Sequence, residues 1–163
     1  MYISAISDTH SQTKRIRHAL EILQNKGVRR LIHCGDIDRP EVVPLFNGWE
    51  KLEFVAGNMD QSTEELAKAV SQIGGQWHGE IGSVQWQNRR IAFLHGHQTR
   101  RLHQVVRSGQ WDLVLHGHTH VSRIEKIGST LVVNPGALHN AARYSVALID
   151  LKTMNVELIE VPF

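Results

Sequence analysis

Apolar residues in this chain fall into short runs, and the spacing within those runs changes character about halfway along. Tyr2–Ile6 is an apolar run of strand length, and residues 31–33 and 52–56 read the same way. Between the first two, Ile16, Ala19, Leu20 and Leu23 recur at helical spacing across residues 12–26, and Gly27 supplies a stop. Residues 40–46 predict a short helix that Pro44 weakens. Ser62 or Thr63 caps a further predicted helix running to Ile73, with Glu64 and Glu65 in its first turn, where acidic groups suit the dipole. The order β-α-β-α-β-α predicts a parallel sheet covered by helices.

The second half predicts hairpins. Residues 83–87 and 90–94 pair across Gln87-Asn88-Arg89. A helix follows from about Thr99 to Ser108, ended by Gly109, and then a strand at residues 113–115. Residues 121–127 and 130–133 flank Gly128-Ser129, a two-residue hairpin turn, and residues 144–151 and 154–161 form a last hairpin. The expected architecture is α/β: two mixed sheets stacked in a sandwich with helices on the outer faces. It forms one domain over residues 1–163, without linker, repeat or low-complexity stretch.

Composition narrows this picture only a little. At 163 residues the chain is long enough for a substantial core, and 41% apolar with 21% charged residues is an ordinary globular balance. No stretch is apolar enough to span a bilayer, and no basic-then-apolar leader opens the chain. The single cysteine, Cys34, cannot form an internal disulfide; with the missing leader, this predicts a cytoplasmic location. The net charge of +2 makes nucleic acid an unexpected partner. Arg100, Arg101 and Arg107, with Arg89 and Arg90, read as a solvated helix face plus a hairpin turn. The 11 histidines are the one compositional excess, and histidine is the commonest metal ligand.

Those histidines lead to the candidate chemistry. Asp8, His10, Asp36, Asn58, His95, His118 and His120 stand just past the ends of five predicted strands. Loops at strand ends converge on one edge of an α/β sheet, so these donors are expected to meet. Asp8-Thr9-His10 and His118-Thr119-His120 each place two donors two residues apart, which in extended backbone face the same way. Asp36 follows Gly35 and Asn58 follows Gly57, where a sharp turn would bring each side chain inward.

Seven such donors exceed what one ion needs. Two ions about 3.5–4 Å apart that share a carboxylate would use them, and Asp36 is the candidate bridge. A set of imidazole, carboxylate and amide without thiolate suits borderline divalent transition metals, with Mn first and Fe, Ni, Co or Zn as alternatives. Two divalent ions, two aspartates and one hydroxide leave about one positive charge, which matches a singly charged phosphodiester better than a dianionic monoester.

Asp8-Thr9-His10, Gly35-Asp36, Gly57-Asn58-Met59-Asp60, His95-Gly96, Gly117-His118-Thr119-His120 and Asn134-Pro135-Gly136 together resemble the signature of the calcineurin-like metallophosphoesterases. The likeness spans nearly the whole chain. It is greatest to the compact bacterial and archaeal phosphodiesterases, a branch that includes retromer's phosphoesterase-like scaffold subunit. The resemblance implies an αββα sandwich. It implies one metal on Asp8, His10, Asp36 and His120 and a second on Asp36, Asn58, His95 and His118, with Asn58 also on the substrate phosphate. It further implies in-line attack on phosphorus by a water or hydroxide held between the metals.

One position departs from the wider superfamily. Where many members carry a leaving-group histidine after Gly-Asn, this chain has Met59, whose thioether transfers no proton. His97, two residues past His95, is the nearest substitute in sequence and the candidate catalytic acid. Asp60 is placed behind a metal ligand, and His139 is placed to approach the cleft. The leading expectation is a dinuclear phosphoesterase acting on small-molecule or nucleotide-type phosphoesters. The alternative is a non-catalytic scaffold that binds partner proteins. A nuclease would need a basic or aromatic track that the sequence lacks. Oligomeric state is left open.

Overall fold

Alternate residues of the first strand, β1 (Tyr2–Ile6), enter two different cores. Ile3 and Ala5 pack with Ile91, Phe93, Leu113, Leu115 and Val133, whereas Ile6 packs with Ile16, Leu20 and Leu23. A strand buried on both faces reads as a continuous apolar run, which is how residues 2–6 appear in the sequence. The computed structural model describes residues 1–162.

Among the described residues one sheet has the order β11-β10-β1-β2-β3-β4, with β2 (Arg30–His33), β3 (Lys51–Phe54), β4 (Gln76–Trp77), β10 (Ser145–Asp150) and β11 (Asn155–Glu160). β1 to β4 run parallel, and β10 and β11 are antiparallel additions at the β1 edge. The other sheet has the order β5-β6-β7-β9-β8, from β5 (Ile81–Trp86), β6 (Arg89–Leu94), β7 (Leu113–Leu115), β8 (Arg123–Ile127) and β9 (Thr130–Asn134). Its centre, β6-β7-β9, is parallel. The faces meet through a core that contains Ile3, Ile32, Phe93, Leu115 and Ile149. Each fully buried Ile or Leu there contributes about 1.5–3 kcal/mol.

Helices α1 (Thr13–Asn25) and α2 (Thr63–Gln72) cover the outer face of the first sheet through Leu20, Leu23, Leu66 and Val70. Helix α3 (Thr99–Arg107) covers the second through Val106, packed on Ala92, Leu94, Val114 and Val132. The molecule is thus an αββα sandwich of two mixed sheets.

Two local expectations change. Pro40–Phe46 is a 3-10 helix, and Pro44 inside it lacks the N–H that an α-helix would use. The two-residue strand β4 has no sequence signature, because Gln76-Trp77 is too short to show a period; pairing with β3 creates it. The β5–β6 turn uses Gln87 and Asn88 at φ +47° and +61°, the left-handed pair that a two-residue hairpin needs.

Candidate metal centre

The C-terminal ends of β1, β2 and β3 in one sheet, and of β6 and β7 in the other, open onto a common edge. Asp8, Asp36 and His95 follow β1, β2 and β6, and all three are buried. Asp8, His10 and His120 present ligand atoms that lie within 4.8 Å of one another, and so do Asp8, Asp36 and His95. Asp8 belongs to both groups, and Asp36 also reaches a histidine of each. Its Oδ2 is 3.5 Å from His10 Nε2 and 3.3 Å from His95 Nε2. Asp8 Oδ1 is 3.2 Å from His120 Nε2 and 3.9 Å from His95 Nε2.

The other atom of each group is already used. Asp36 Oδ1 accepts the Met59 N–H at 2.9 Å, and Asp8 Oδ2 accepts the His118 N–H at 3.0 Å. On the imidazoles, His10 Nδ1 lies 3.1 Å from Asp38 Oδ1, His95 Nδ1 2.9 Å from the Cys34 carbonyl, and His120 Nδ1 3.2 Å from the Asn140 carbonyl. An acceptor at each Nδ1 fixes the proton there and turns a lone pair on Nε2 inward. Three lone pairs then face carboxylate oxygens, which is repulsive unless a cation lies between them. Asp8 Oδ1, His10 Nε2 and His95 Nε2 are buried without any hydrogen-bond partner among the described residues. Orphans of this kind are costly, and divalent cations are what this donor set fits.

Electrostatics point the same way. Burial works against a charged His95, yet the Asp36 and Asp8 carboxylates raise its pKa above the ordinary imidazole value. Burial also disfavours ionised Asp36, but His95 and the Met59 N–H hold its carboxyl below the usual range. A cation among these groups replaces the proton that they otherwise compete for.

The backbone reaches this arrangement under strain. Asp8, His10, Asp36, His118 and His120 all have positive φ, between +40° and +72°. Non-glycine residues there cost on the order of 1 kcal/mol or more each, and such strain gathers at functional sites. The Asp-x-His and His-x-His pairs therefore do not converge as extended segments, contrary to the sequence expectation; left-handed turns aim them. Gly35 does make the expected turn, at φ +95°. Gly57 serves a different purpose: a Cβ there would stand 2.0 Å from Asp36 Oδ1, so the glycine allows close approach.

The remaining donors lie at the rim. His118 is exposed, with its ring 5.1 Å from that of His95. Asn58 is exposed on the turn that Met59 ties to Asp36. His97 has its ring 5.6 Å from His95, with Nδ1 buried and without a hydrogen-bond partner among the described residues; burial and the neighbouring His95 and His118 lower its pKa. His139 does approach the cleft, its ring 4.9 Å from His10. Met59 is exposed.

Asp60 lies behind the centre, as its place in the motif suggests. Its carboxylate accepts the N–H groups of Asp36, Ile37, Asp38 and Gly57 at 2.7–2.9 Å. Asn134 ties down the histidine loop by donating to the Gly117 carbonyl at 2.9 Å and to Thr119 Oγ1 at 3.0 Å. Sequence reasoning missed Asp38; its one signal is a second carboxylate two residues past Asp36. The Cys34 and Asn140 carbonyls carry no side-chain signal at all. His33 and Cys34 are packed, both fully buried, and burial raises the Cys34 thiol far from reactivity. No helix among the described residues is long and apolar enough to cross a membrane.

Comparison with known proteins gives the family and the fold. A family model, the calcineurin-like phosphoesterase superfamily domain, matches residues 1–154. A protein of Methanocaldococcus jannaschii named a phosphodiesterase is 32% identical over 138 residues, covering 83% of each chain. A solved structure described as a novel archaeal phosphodiesterase superposes with a TM-score of 0.92 at 28% identity, over 98% of this chain and 99% of that one. Vacuolar protein sorting 29 from Cryptosporidium parvum shares the fold, with a TM-score of 0.72 at 20% identity over 99% of this chain and 97% of the other. By its sequence match and its fold, this chain belongs to the calcineurin-like phosphoesterase superfamily and is by class a phosphoester hydrolase.

Proposed function

We propose that the protein hydrolyses phosphodiesters with two divalent transition-metal ions, manganese first among them. Asp8, His10, Asp36 and His120 hold one ion; Asp36, Asn58, His95 and His118 hold the other. The observation behind this reading is the inward convergence of the His10, His95 and His120 Nε2 atoms on Asp8 and Asp36, with three of the atoms involved left unpartnered. A protein-binding scaffold has no use for those orphans.

When bound, the ions supply an activated water as nucleophile and neutralise charge on the phosphoryl oxygens. The protein keeps its own protons out of the way: Asp38 and the Cys34 and Asn140 carbonyls hold them on the outer imidazole nitrogens. Asp60 fixes both loops that carry Asp36 and Asn58 through their main chain. Asn58, exposed at the rim, contacts the substrate phosphate. His97, beside His95 and His118, protonates the leaving group in place of the absent residue at Met59. The charge balance favours a diester over a monoester.

The test is metal analysis combined with turnover. Protein reconstituted with Mn should retain more than one equivalent and hydrolyse bis(p-nitrophenyl) phosphate faster than the monoester. Retention of no metal in any buffer, with no turnover, would favour the scaffold reading.

A further inference from the structure

A groove of about 400 Å³ runs beside the metal centre, between α3 and the β8–β9 hairpin. Its apolar surface comes from Leu102 and Val106 on α3 and from Ile127 and Val132 opposite. Polar groups sit among them. His116 lines the groove and is 9% exposed; its Nδ1 faces the Gly117 carbonyl at 3.1 Å, which leaves Nε2 as an acceptor. Arg123 is engaged by Glu125 at 2.7 Å, whereas Arg107 pairs with no carboxylate among the described residues. His118 belongs to both places: it lines the groove, and its ring is 5.1 Å from that of His95.

We propose that this groove binds one ester group of the diester, and that the group is a nucleoside. The proposal rests on the phosphodiesterase reading, since it needs phosphorus at the metal centre. An ester arm leaving that phosphorus past His118 enters the groove directly. The volume lies in the range of small-molecule sites and exceeds what a methyl or ethyl ester would fill. An alkyl chain would match Leu102, Val106 and Val132 but would strand the buried His116 acceptor and leave the exposed Arg107 at the groove mouth unused. A second inorganic anion would match Arg107 but leave the apolar walls wet. A nucleobase has apolar faces and polar edges, and so satisfies both sets of groups.

The test compares two p-nitrophenyl diesters, one of thymidine 5′-phosphate and one of methyl phosphate. The parent should prefer the thymidine ester by at least about tenfold in kcat/KM, and Leu102→Trp, which fills the groove, should collapse that ratio. A parent without preference, or a variant that keeps it, overturns the proposal. Should Leu102→Trp fail to fold, Arg107→Gln must raise KM for the thymidine ester severalfold more than for the methyl ester; an equal change overturns the proposal. Independently, thymidine 5′-phosphate added to zinc-loaded, ¹⁵N-labelled protein should shift the amides of residues 102–106 and 123–132; shifts confined to other regions overturn it. A parent that hydrolyses neither diester rejects the phosphodiesterase reading, and the amide shifts still decide the groove.

Discussion

The carboxylate of Asp60 accepts the backbone N–H of Asp36 at 2.9 Å, so the carboxylate that faces both His10 and His95 is positioned through its main chain. Burial, with the nearby Asp36 charge, raises the Asp60 pKa, and the N–H groups of Gly57, Asp38 and Asp36 pull the other way. Removing the acceptor strands these three and the Ile37 N–H. Asp60→Ala is expected to cost about 3 kcal/mol or more and to weaken metal binding roughly 10–100-fold. Denaturant unfolding and metal titration check this; unchanged metal affinity would mean that the Asp36 loop holds its shape unaided.

Asp36 Oδ2 faces both His10 and His95, the place from which a shared carboxylate would serve the two proposed ions. Asp36→Asn should reduce bis(p-nitrophenyl) phosphate hydrolysis by at least about 100-fold and lower the bound metal below one equivalent. A variant matching the parent in both would remove Asp36 from the bridging position.

The buried orphans Asp8 Oδ1, His10 Nε2 and His95 Nε2 couple the centre to stability. A cation bound only to the folded chain stabilises it by about 2.7 kcal/mol at 100 times its Kd. Thermal unfolding should therefore move several degrees upward with Mn and return with chelator. A melting temperature indifferent to both would show that the donors bind no ion.

In the proposed acid role His97 must be protonated, and its pKa is lowered by burial and by its histidine neighbours. Turnover of esters with alkoxide leaving groups should thus fall as pH rises through a value below 6.5. His97→Ala should slow these esters more than nitrophenyl ones, since nitrophenolate leaves without a proton. Equal slowing of both would assign His97 a merely structural part.

His33 makes acid stability predictable. Its Nδ1 accepts the Gly35 N–H at 3.2 Å, which leaves Nε2–H to donate to Thr9 Oγ1 at 3.0 Å; only the neutral ring does both. Burial, then the charge of His95, lowers its pKa from 6.5 to about 3. Below 6.5 the unfolded chain takes a proton that the folded chain refuses, so stability drops as pH falls toward 3. By pH 5 the loss is about 2 kcal/mol from this residue. Imidazole NMR should show His33 neutral at pH 5; titration near 6.5 would contradict its packing.

Apart from β4, the order of strands and helices can be read from the residue pattern, and so can the places of the donors along the chain. Both follow from local rules: apolar runs such as residues 2–6 mark buried strands, and chain breaks such as Gly35-Asp36 mark strand ends. The motif spacing also pointed to Asp60 as a support. How the donors face depends on contacts made in folding. Asp8 and His10 converge through left-handed backbone that no propensity announces, because that conformation is imposed by bonds such as Asp8 N–H to the Gly35 carbonyl. The proton-holding partners of His95 and His120 are main-chain carbonyls 61 and 20 residues away, invisible to any reading of side chains. The groove, too, exists only where α3 meets the hairpin, since its walls come from segments that become neighbours on folding. Local periodicity encodes elements; distances between elements are set by packing, and the chemistry depends on those distances.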